Sequence, residues 1–153
     1  MYSSAMALIE NSRVRFDYHI LEEMEAGLEL RGFDVKSVRG KRGSLKGARV
    51  VARGSEAYLV NAQIFPYIYA RPDGYDPKRT RKLLLHKAEL IRLKSKLEGA
   101  NLTLVPLSWY TKGPLVKLEI GLARGKKQYE KREVKRKEDQ RRELERDYRG
   151  KVK

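Results

Sequence analysis

The sequence predicts a mainly β fold of the α+β class: short antiparallel strands closed into a small barrel, flanking helices, and a separate basic tail. Three observations carry this expectation. The apolar segments are short and bounded by Gly, Pro or charged clusters, and they lack the strand–helix–strand rhythm of a parallel sheet. Hydrophobic residues make up 41% of 153 positions, enough for one modest core. The composition then changes near residue 123. The last 30 residues carry 14 basic and seven acidic side chains, and only Tyr129, Val134, Leu144, Tyr148 and Val152 are apolar. A barrel domain over residues 1–123 and a basic tail over residues 124–153 follow from that change.

Residues 16–20 alternate weakly and fit a strand. Residues 22–30 place Leu21, Met24 and Leu28 at helical spacing, with Gly32 as the stop. Residues 35–38 are a short β candidate ahead of the turn region at Gly40 and Gly43. Residues 48–52 and 57–64 flank Arg53-Gly54-Ser55-Glu56 and read as a hairpin. Pro66, Pro72, Gly74 and Pro77 punctuate a loop. Residues 83–97, with Leu90, Ile91, Leu93 and Leu97, suggest a second helix that His86 caps and Gly99 closes. Residues 102–111 and 115–123 form a second strand pair joined at Lys112-Gly113-Pro114. Strands of this number and length fit an OB-like antiparallel barrel, an architecture whose outer face commonly carries nucleic acid. The tail has no proline, and no glycine between Gly125 and Gly150. Glu133/Lys137, Glu138/Arg142 and Glu145/Arg149 are acid-before-base pairs, each supporting a helix by roughly 0.2–0.5 kcal/mol. Without a buried face that support is marginal. The tail is expected to be disordered when free and helical when bound.

Charge narrows the function. Lys plus Arg is 35 against 20 acids, a formal net charge of +15, so a polyanionic partner is expected. There is no cysteine, and the histidines are His19 and His86. Disulfides, thiol catalysis, thiolate zinc sites and histidine-rich metal centres are excluded, and no cofactor or metal is expected. No apolar run approaches the roughly 18 residues of a membrane span. Residues 1–10 do not resemble a secretory signal, so the expected compartment is cytoplasmic, with no membrane partner. Gly40-Lys41-Arg42-Gly43-Ser44 lacks the spacing of a phosphate-binding P-loop. Ser3, Ser12, Ser37, Ser44 and Ser108 lack a nucleophile context. A non-catalytic monomer is the expectation.

Two basic blocks stand out. Arg31, Lys36, Arg39, Lys41, Arg42, Lys46, Arg49 and Arg53 surround one acid, Asp34, with Gly40, Gly43 and Gly47 allowing close backbone approach to phosphates. Lys78-Arg79-Thr80-Arg81-Lys82 precedes three leucines, where cations at a helix entrance would oppose the macrodipole until an anion binds. Glu22, Glu23, Glu25 and Glu29 form an acidic island that reads as a solvated helix face. One of them could instead accept hydrogen bonds from a nucleobase edge or ribose. Tyr67, Tyr69, Tyr75 and Trp109-Tyr110 could stack on bases, although Trp109 is expected in the core. Tyr129, flanked by cations in Gly125-Lys126-Lys127-Gln128-Tyr129-Glu130-Lys131-Arg132, has the setting of a stacking contact. Composition alone favours an OB-type ribosomal or RNA-chaperone protein. An RNA-processing enzyme would need a catalytic cluster that the sequence lacks.

Four segments resemble one family: Glu25-Ala26-Gly27-Leu28, Asp34-Val35-Lys36-Ser37-Val38-Arg39, Arg81-Lys82-Leu83-Leu84-Leu85-His86-Lys87, and Leu122-Ala123-Arg124-Gly125-Lys126-Lys127. In this order they are similar to the bacterial SsrA-binding proteins, small protein B, over about Asn11 to Arg132. The resemblance implies an OB-like barrel that binds the tRNA-like domain of tmRNA in trans-translation. It implies entry into the ribosomal A site when translation stalls without a stop codon, with the tail at the small-subunit decoding centre and in the empty mRNA channel. It also implies links to the elongation factor that delivers aminoacyl-tRNA and, through tmRNA, to alanyl-tRNA synthetase. Asn11, Glu25, Leu84 and Lys117 match family positions implicated in tmRNA binding, and Lys36 and Arg39 of the first basic block join them. Arg124, Gly125, Lys126, Lys127, Tyr129, Lys131 and Arg132 fall in the segment that acts on the ribosome. Tyr129 stands where many relatives have His, and Asp34 and Val38 replace the usual Glu and Leu.

Overall fold

The computed structural model describes residues 7–69, 74–98, 101–126 and 128–151. Alternation of buried and outward side chains builds most of it. Strand β1 (Ala7–Glu10) leads through a single helical turn α1 (Val14–Asp17) into the long β2 (Tyr18–Leu28). Helix α2 (Gly32–Arg39) and a two-residue β3 (Gly43–Ser44) follow. A hairpin of β4 (Arg49–Arg53) and β5 (Glu56–Val60) comes next, then β6 (Gln63–Ile64) and β7 (Arg81–Leu84). Helix α3 (Lys87–Leu97), the long hairpin β8 (Leu102–Lys112) and β9 (Leu115–Gly125), and helix α4 (Gln128–Lys151) complete the chain.

The main sheet runs β1-β8-β4-β5-β7-β2-β9, and β9 pairs back to β8, so the strands close into a ring. These pairings are antiparallel. The mainly β, barrel-like expectation therefore holds, in an arrangement consistent with an OB-like fold. The interior is filled by alternate residues, Met24 and Ala26 of β2 and Leu118, Ile120 and Leu122 of β9, while in β8 the register shift between Pro106 and Ser108 changes the phase so that Leu104 and Trp109 both face inward. Trp109 is fully buried, as expected of a core aromatic. Leu90 and Leu93 of α3 and Val38 of α2 join the same core. A smaller apolar cluster, Val14, Val105, Leu107 and Ala123, packs α1 against the outside of β8 and β9. Both sequence-predicted hairpins are present. Gly54 and Gly113 take positive φ in their turns, where a side chain would strain the backbone.

Several element assignments are corrected. Residues 22–30 are not a helix, because β2 pairs along β9 from Tyr18↔Gly125 to Gly27↔Lys117. Met24 and Ala26 point inward while Glu23 and Glu25 point outward, a period of two that overrides the helix propensity of the glutamates. Leu21, counted in the helical stripe, lies at a register shift and is exposed. The strand expected from residue 16 begins at Tyr18, after α1. Residues 35–38 are helical rather than β. Gly32, read as a stop, is the first residue of α2, and Asp34 closes that helix start by accepting the Arg31 backbone N–H at 3.1 Å. The second helix does not begin at Leu83. Leu83 faces inward and Leu84 outward on β7, and α3 starts at Lys87. His86 holds the N-cap position, but its side chain makes no cap hydrogen bond. The 57–64 strand breaks at Asn61, which has a φ of 64°. Pro72 and Gly99 lie outside the described residues.

The second basic block is corrected as well. Lys78, Arg79 and Thr80 lie in the turn and loop before β7, and Arg81 and Lys82 open that strand, so the block is not a helix entrance and the macrodipole argument does not apply. Arg81 is fully buried and donates to the carbonyls of Ala62 at 2.9 Å, Arg79 at 2.9 Å and Pro77 at 3.0 Å. Arg79 pairs with Asp34, itself fully buried, and the Tyr75 hydroxyl is shared between Asp34 Oδ1 at 3.1 Å and the Ile64 carbonyl at 2.9 Å. These side chains pin the loop before β7 to α2. They are structural and do not form a phosphate surface.

Candidate nucleic-acid interface

The outer face of β2 presents Glu23, Glu25 and Gly27, and direct cross-strand partners share a face. Gly27 lies opposite Leu84 on β7 and Lys117 on β9, and Lys117 lies opposite Tyr110 on β8. Closure of the ring therefore brings Glu25, Leu84 and Lys117 together, although they are far apart in sequence. Gly27 keeps the centre of this face bare. A Cβ there would meet Leu84 Cβ at 3.2 Å and Lys117 Nζ at 3.6 Å. Leu84 is 52% exposed, an apolar side chain standing on a charged face.

Glu25 is held as an anion. The Tyr110 hydroxyl donates to its carboxylate, and Lys112 Nζ lies 3.5 Å away. The Tyr110 hydrogen bond, with Lys112 and Lys117 nearby, holds its carboxyl below the usual glutamate range. Arg39 extends the same end of the barrel by donating to the Pro114 carbonyl at 2.6 Å, at the tip of the β8–β9 hairpin. Lys36, one turn earlier on α2, lies 5.3 Å from the centre of the Tyr67 ring. Tyr69 packs edge-on against Tyr67 at 5.5 Å and is 81% exposed, so this pair remains open to a base. Tyr75 does not.

Asn11 reaches the same outer face from the other end. Its backbone N–H donates to the Leu107 carbonyl, and its Nδ2 to the Pro106 carbonyl, each at 2.9 Å. It lines a cleft of about 570 Å³ together with Arg15, Glu23, Ser108, Tyr110 and Glu119. Arg15 pairs with Glu23 at 2.8 Å and holds that carboxyl low. Glu119 moves the opposite way. Burial, then the hydrogen bond and charge of Glu23, push it up to about 7.

The tail residues sit differently. Arg124 and Gly125 are the last residues of β9, paired with His19 and Tyr18. Lys126 is tied down: its backbone N–H donates to the Asp17 carbonyl at 2.8 Å and its Nζ to the Arg15 carbonyl at 2.9 Å. Lys127 lies outside the described residues. Tyr129 is in the first turn of α4, Lys131 pairs with Asp17 at 3.4 Å, and Arg132 is exposed. Lys117 and Gly125 occupy opposite ends of β9, about 26 Å apart at about 3.3 Å per residue. Glu25, Leu84 and Lys117 therefore lie apart from Arg124, Gly125 and Lys126, whereas Asn11 lies beside α1, to which Lys126 is bonded.

Sequence reasoning missed Gly27, Lys112 and Glu119, and treated Tyr110 only as a possible stacking ring. Their signal is the period of two in the β8–β9 hairpin, which is visible once β2 is known to pair with it. Among the described residues no helix is long and apolar enough to cross a membrane.

Comparison with known proteins converges on one family. The SmpB protein family model matches residues 8–150. An SsrA-binding protein from Chlorobaculum tepidum is 47% identical over 137 residues, covering 89% of this chain and 87% of its own length. One from a Sulfurihydrogenibium species is 45% identical over 150 residues, covering 98% and 99% respectively. A chain from the structure described as "tmRNA-SmpB: a journey to the center of the bacterial ribosome" superposes with a TM-score of 0.66 at 46% identity, covering 80% of this chain and 87% of that one.

Proposed function

The chain belongs to the SmpB protein family, and from that membership we propose that it is a non-catalytic adaptor that binds the tRNA-like domain of tmRNA. It brings that RNA to the A site of ribosomes stalled without a stop codon. The observation that carries this reading is the face around Gly27, where an ionised Glu25, an exposed Leu84 and Lys117 are held by three strands. Such a face is not a generic phosphate surface. It offers a fixed acceptor and an apolar contact beside a cation, and these can discriminate among RNA folds. Asn11, Lys36 and Arg39 flank it.

The tail serves the ribosome. Helix α4 has 24 residues and would reach about 36 Å at about 1.5 Å per residue. Its described side chains beyond Lys131 are exposed, so it has little to hold it as a helix except a partner. In this reading residues 1–123 bind tmRNA. Residues 124–153, with Arg124, Gly125, Lys126, Lys127, Tyr129, Lys131 and Arg132, engage small-subunit RNA at the decoding centre and in the empty mRNA channel, with Arg124, Gly125 and Lys126 held by the barrel as the root of the segment. The protein works in the cytoplasm as a monomer. It meets the elongation factor that delivers aminoacyl-tRNA, and alanyl-tRNA synthetase through tmRNA.

The test is binding to the isolated tRNA-like domain with ordinary tRNA as competitor, at about 150 mM salt, near physiological ionic strength. Preference for the tmRNA domain is the expected result. Equal binding to both RNAs would leave a generic basic RNA binder and overturn the reading.

A further inference from the structure

The fold divides the first basic block. Lys36 and Arg39 lie on α2, whereas Arg49 and Arg53 lie on β4. The ring order β9-β2-β7-β5-β4-β8 sets the β4–β5 pair across the barrel from the β2–β9 pair that carries Glu25 and Lys117. We propose that the outer face of β4 and β5 is a second RNA site, a groove for an unpaired strand that stays open while the tRNA-like domain occupies the face around Gly27. The inference goes beyond the adaptor reading and takes from it only the occupant of the Gly27 face.

The period of two builds this groove. Val50 and Leu59 point into the core, so Arg49, Val51 and Arg53 of β4 and Tyr58 and Val60 of β5 point outward. With Thr80 they line a cavity of about 390 Å³. Val51 lies directly opposite Tyr58, and Arg49 opposite Val60. The floor is therefore apolar and aromatic, with a guanidinium at each end. The two arginines stand about 13 Å apart along the strand, at about 3.3 Å per residue. Both are exposed, and among the described residues neither pairs with a carboxylate. Arg79 and Arg81 differ, being spent on Asp34 and on backbone carbonyls. Two non-adjacent phosphates of one strand can meet Arg49 and Arg53, with the base between them over Val51 and Tyr58.

The face is held in place before any RNA arrives. The Tyr58 hydroxyl donates to Glu56, and Glu56 pairs with Lys82 on β7 at 3.0 Å. The pairing fixes the ring and offsets the one acid that would repel a phosphate. Lys94 of α3 donates to the Gly54 carbonyl and ties the β4–β5 turn to the helix. A fixed ring loses little freedom when a base stacks on it. Duplex RNA would offer the arginines its phosphates but keep its base faces stacked on each other, so the apolar floor selects an unpaired strand.

The test uses the full chain, saturated with the tRNA-like domain, and a fluorescent oligouridylate of about ten nucleotides, within the site size of one OB-like barrel. The oligonucleotide should bind without releasing the tRNA-like domain. The double variant Arg49→Gln/Arg53→Gln should lose roughly tenfold in affinity for it. Its slope of log affinity against log salt should be shallower by about 1.4, the value for two phosphate contacts on a single strand. Tyr58→Leu leaves the charge unchanged and should lose about fivefold or more, whereas Tyr58→Phe should bind as the native chain does. Unaltered affinity for the tRNA-like domain shows that each variant is folded. Displacement of the oligonucleotide from the native chain by the tRNA-like domain would overturn the second site. So would full oligonucleotide affinity in the arginine double variant, which would assign that binding to the tail. Equal binding of ordinary tRNA and the tRNA-like domain would overturn the adaptor reading alone, because the oligonucleotide titration of the free chain still decides the groove.

Discussion

Tyr110 turns Glu25 from a surface acid into a positioned one. It donates to the carboxylate from the neighbouring face of β8 and, with Lys112 and Lys117, keeps it ionised. Glu25→Ala should weaken binding to the tRNA-like domain about tenfold, as expected for losing a charged hydrogen-bond acceptor. Gly27→Val places branched atoms against Leu84 and Lys117 and should weaken binding with the fold intact by circular dichroism. Arg81→Met tests a different role. It leaves the Ala62, Arg79 and Pro77 carbonyls without their donor, and chemical denaturation should show a loss of about 3 kcal/mol or more. Glu119 adds a pH dependence. Its folded-state value of about 7 lies above the ordinary 4.5, so the native state holds the proton more tightly than the unfolded chain. Its contribution to stability is fully present below 4.5 and is lost as pH rises to about 7. The melting-temperature difference between Glu119→Gln and the native chain should therefore grow in favour of Gln across that window.

The elements set where the chain can be divided. Strand β9 pairs with β2 and β8 as far as Gly125 and Arg124, and the Lys126 amide is bonded to Asp17. Truncation after Lys126 keeps the barrel complete, whereas truncation after Ala123 removes part of a strand. The shorter chain, ending at Lys126, should bind the tRNA-like domain within about threefold of native, a difference below 1 kcal/mol. It should fail to support tagging on stalled ribosomes. Loss of RNA affinity on this truncation would disprove the division of labour. The same reasoning explains the misread element at residues 22–30. The glutamates there favour a helix locally, and pairing along the whole length of β9 outweighs a propensity worth a few tenths of a kcal/mol per residue.

For the whole molecule, net charge governs the strength and salt dependence of binding. An RNA complex using about six phosphate contacts should lose roughly 10³-fold in affinity between 50 and 200 mM salt. A flat response in a filter-binding titration would contradict a basic interface. The charge itself was legible without any structure. Its distribution was only partly so, because Arg79 and Arg81 count as cations in the composition but are spent inside the fold on Asp34 and on backbone carbonyls. The available positive surface is smaller than the sequence suggests, and it lies along α2, the β8–β9 tip, the outer face of β4 and the tail.

The sequence by itself determined the mainly β class, the two hairpins, the basic tail and, through four motif segments, the family. These are properties of local patterning and composition, which survive in one dimension. Tertiary structure alone decided which face each residue occupies. Glu25, Leu84 and Lys117 become neighbours only when β7, β2 and β9 close the ring, and the Glu119 carboxyl becomes a weaker acid only when that pairing buries it beside Glu23. Strand pairing joins residues about a hundred positions apart, and the free energy that selects this pairing comes from a core shared by all the strands. No local segment carries that information.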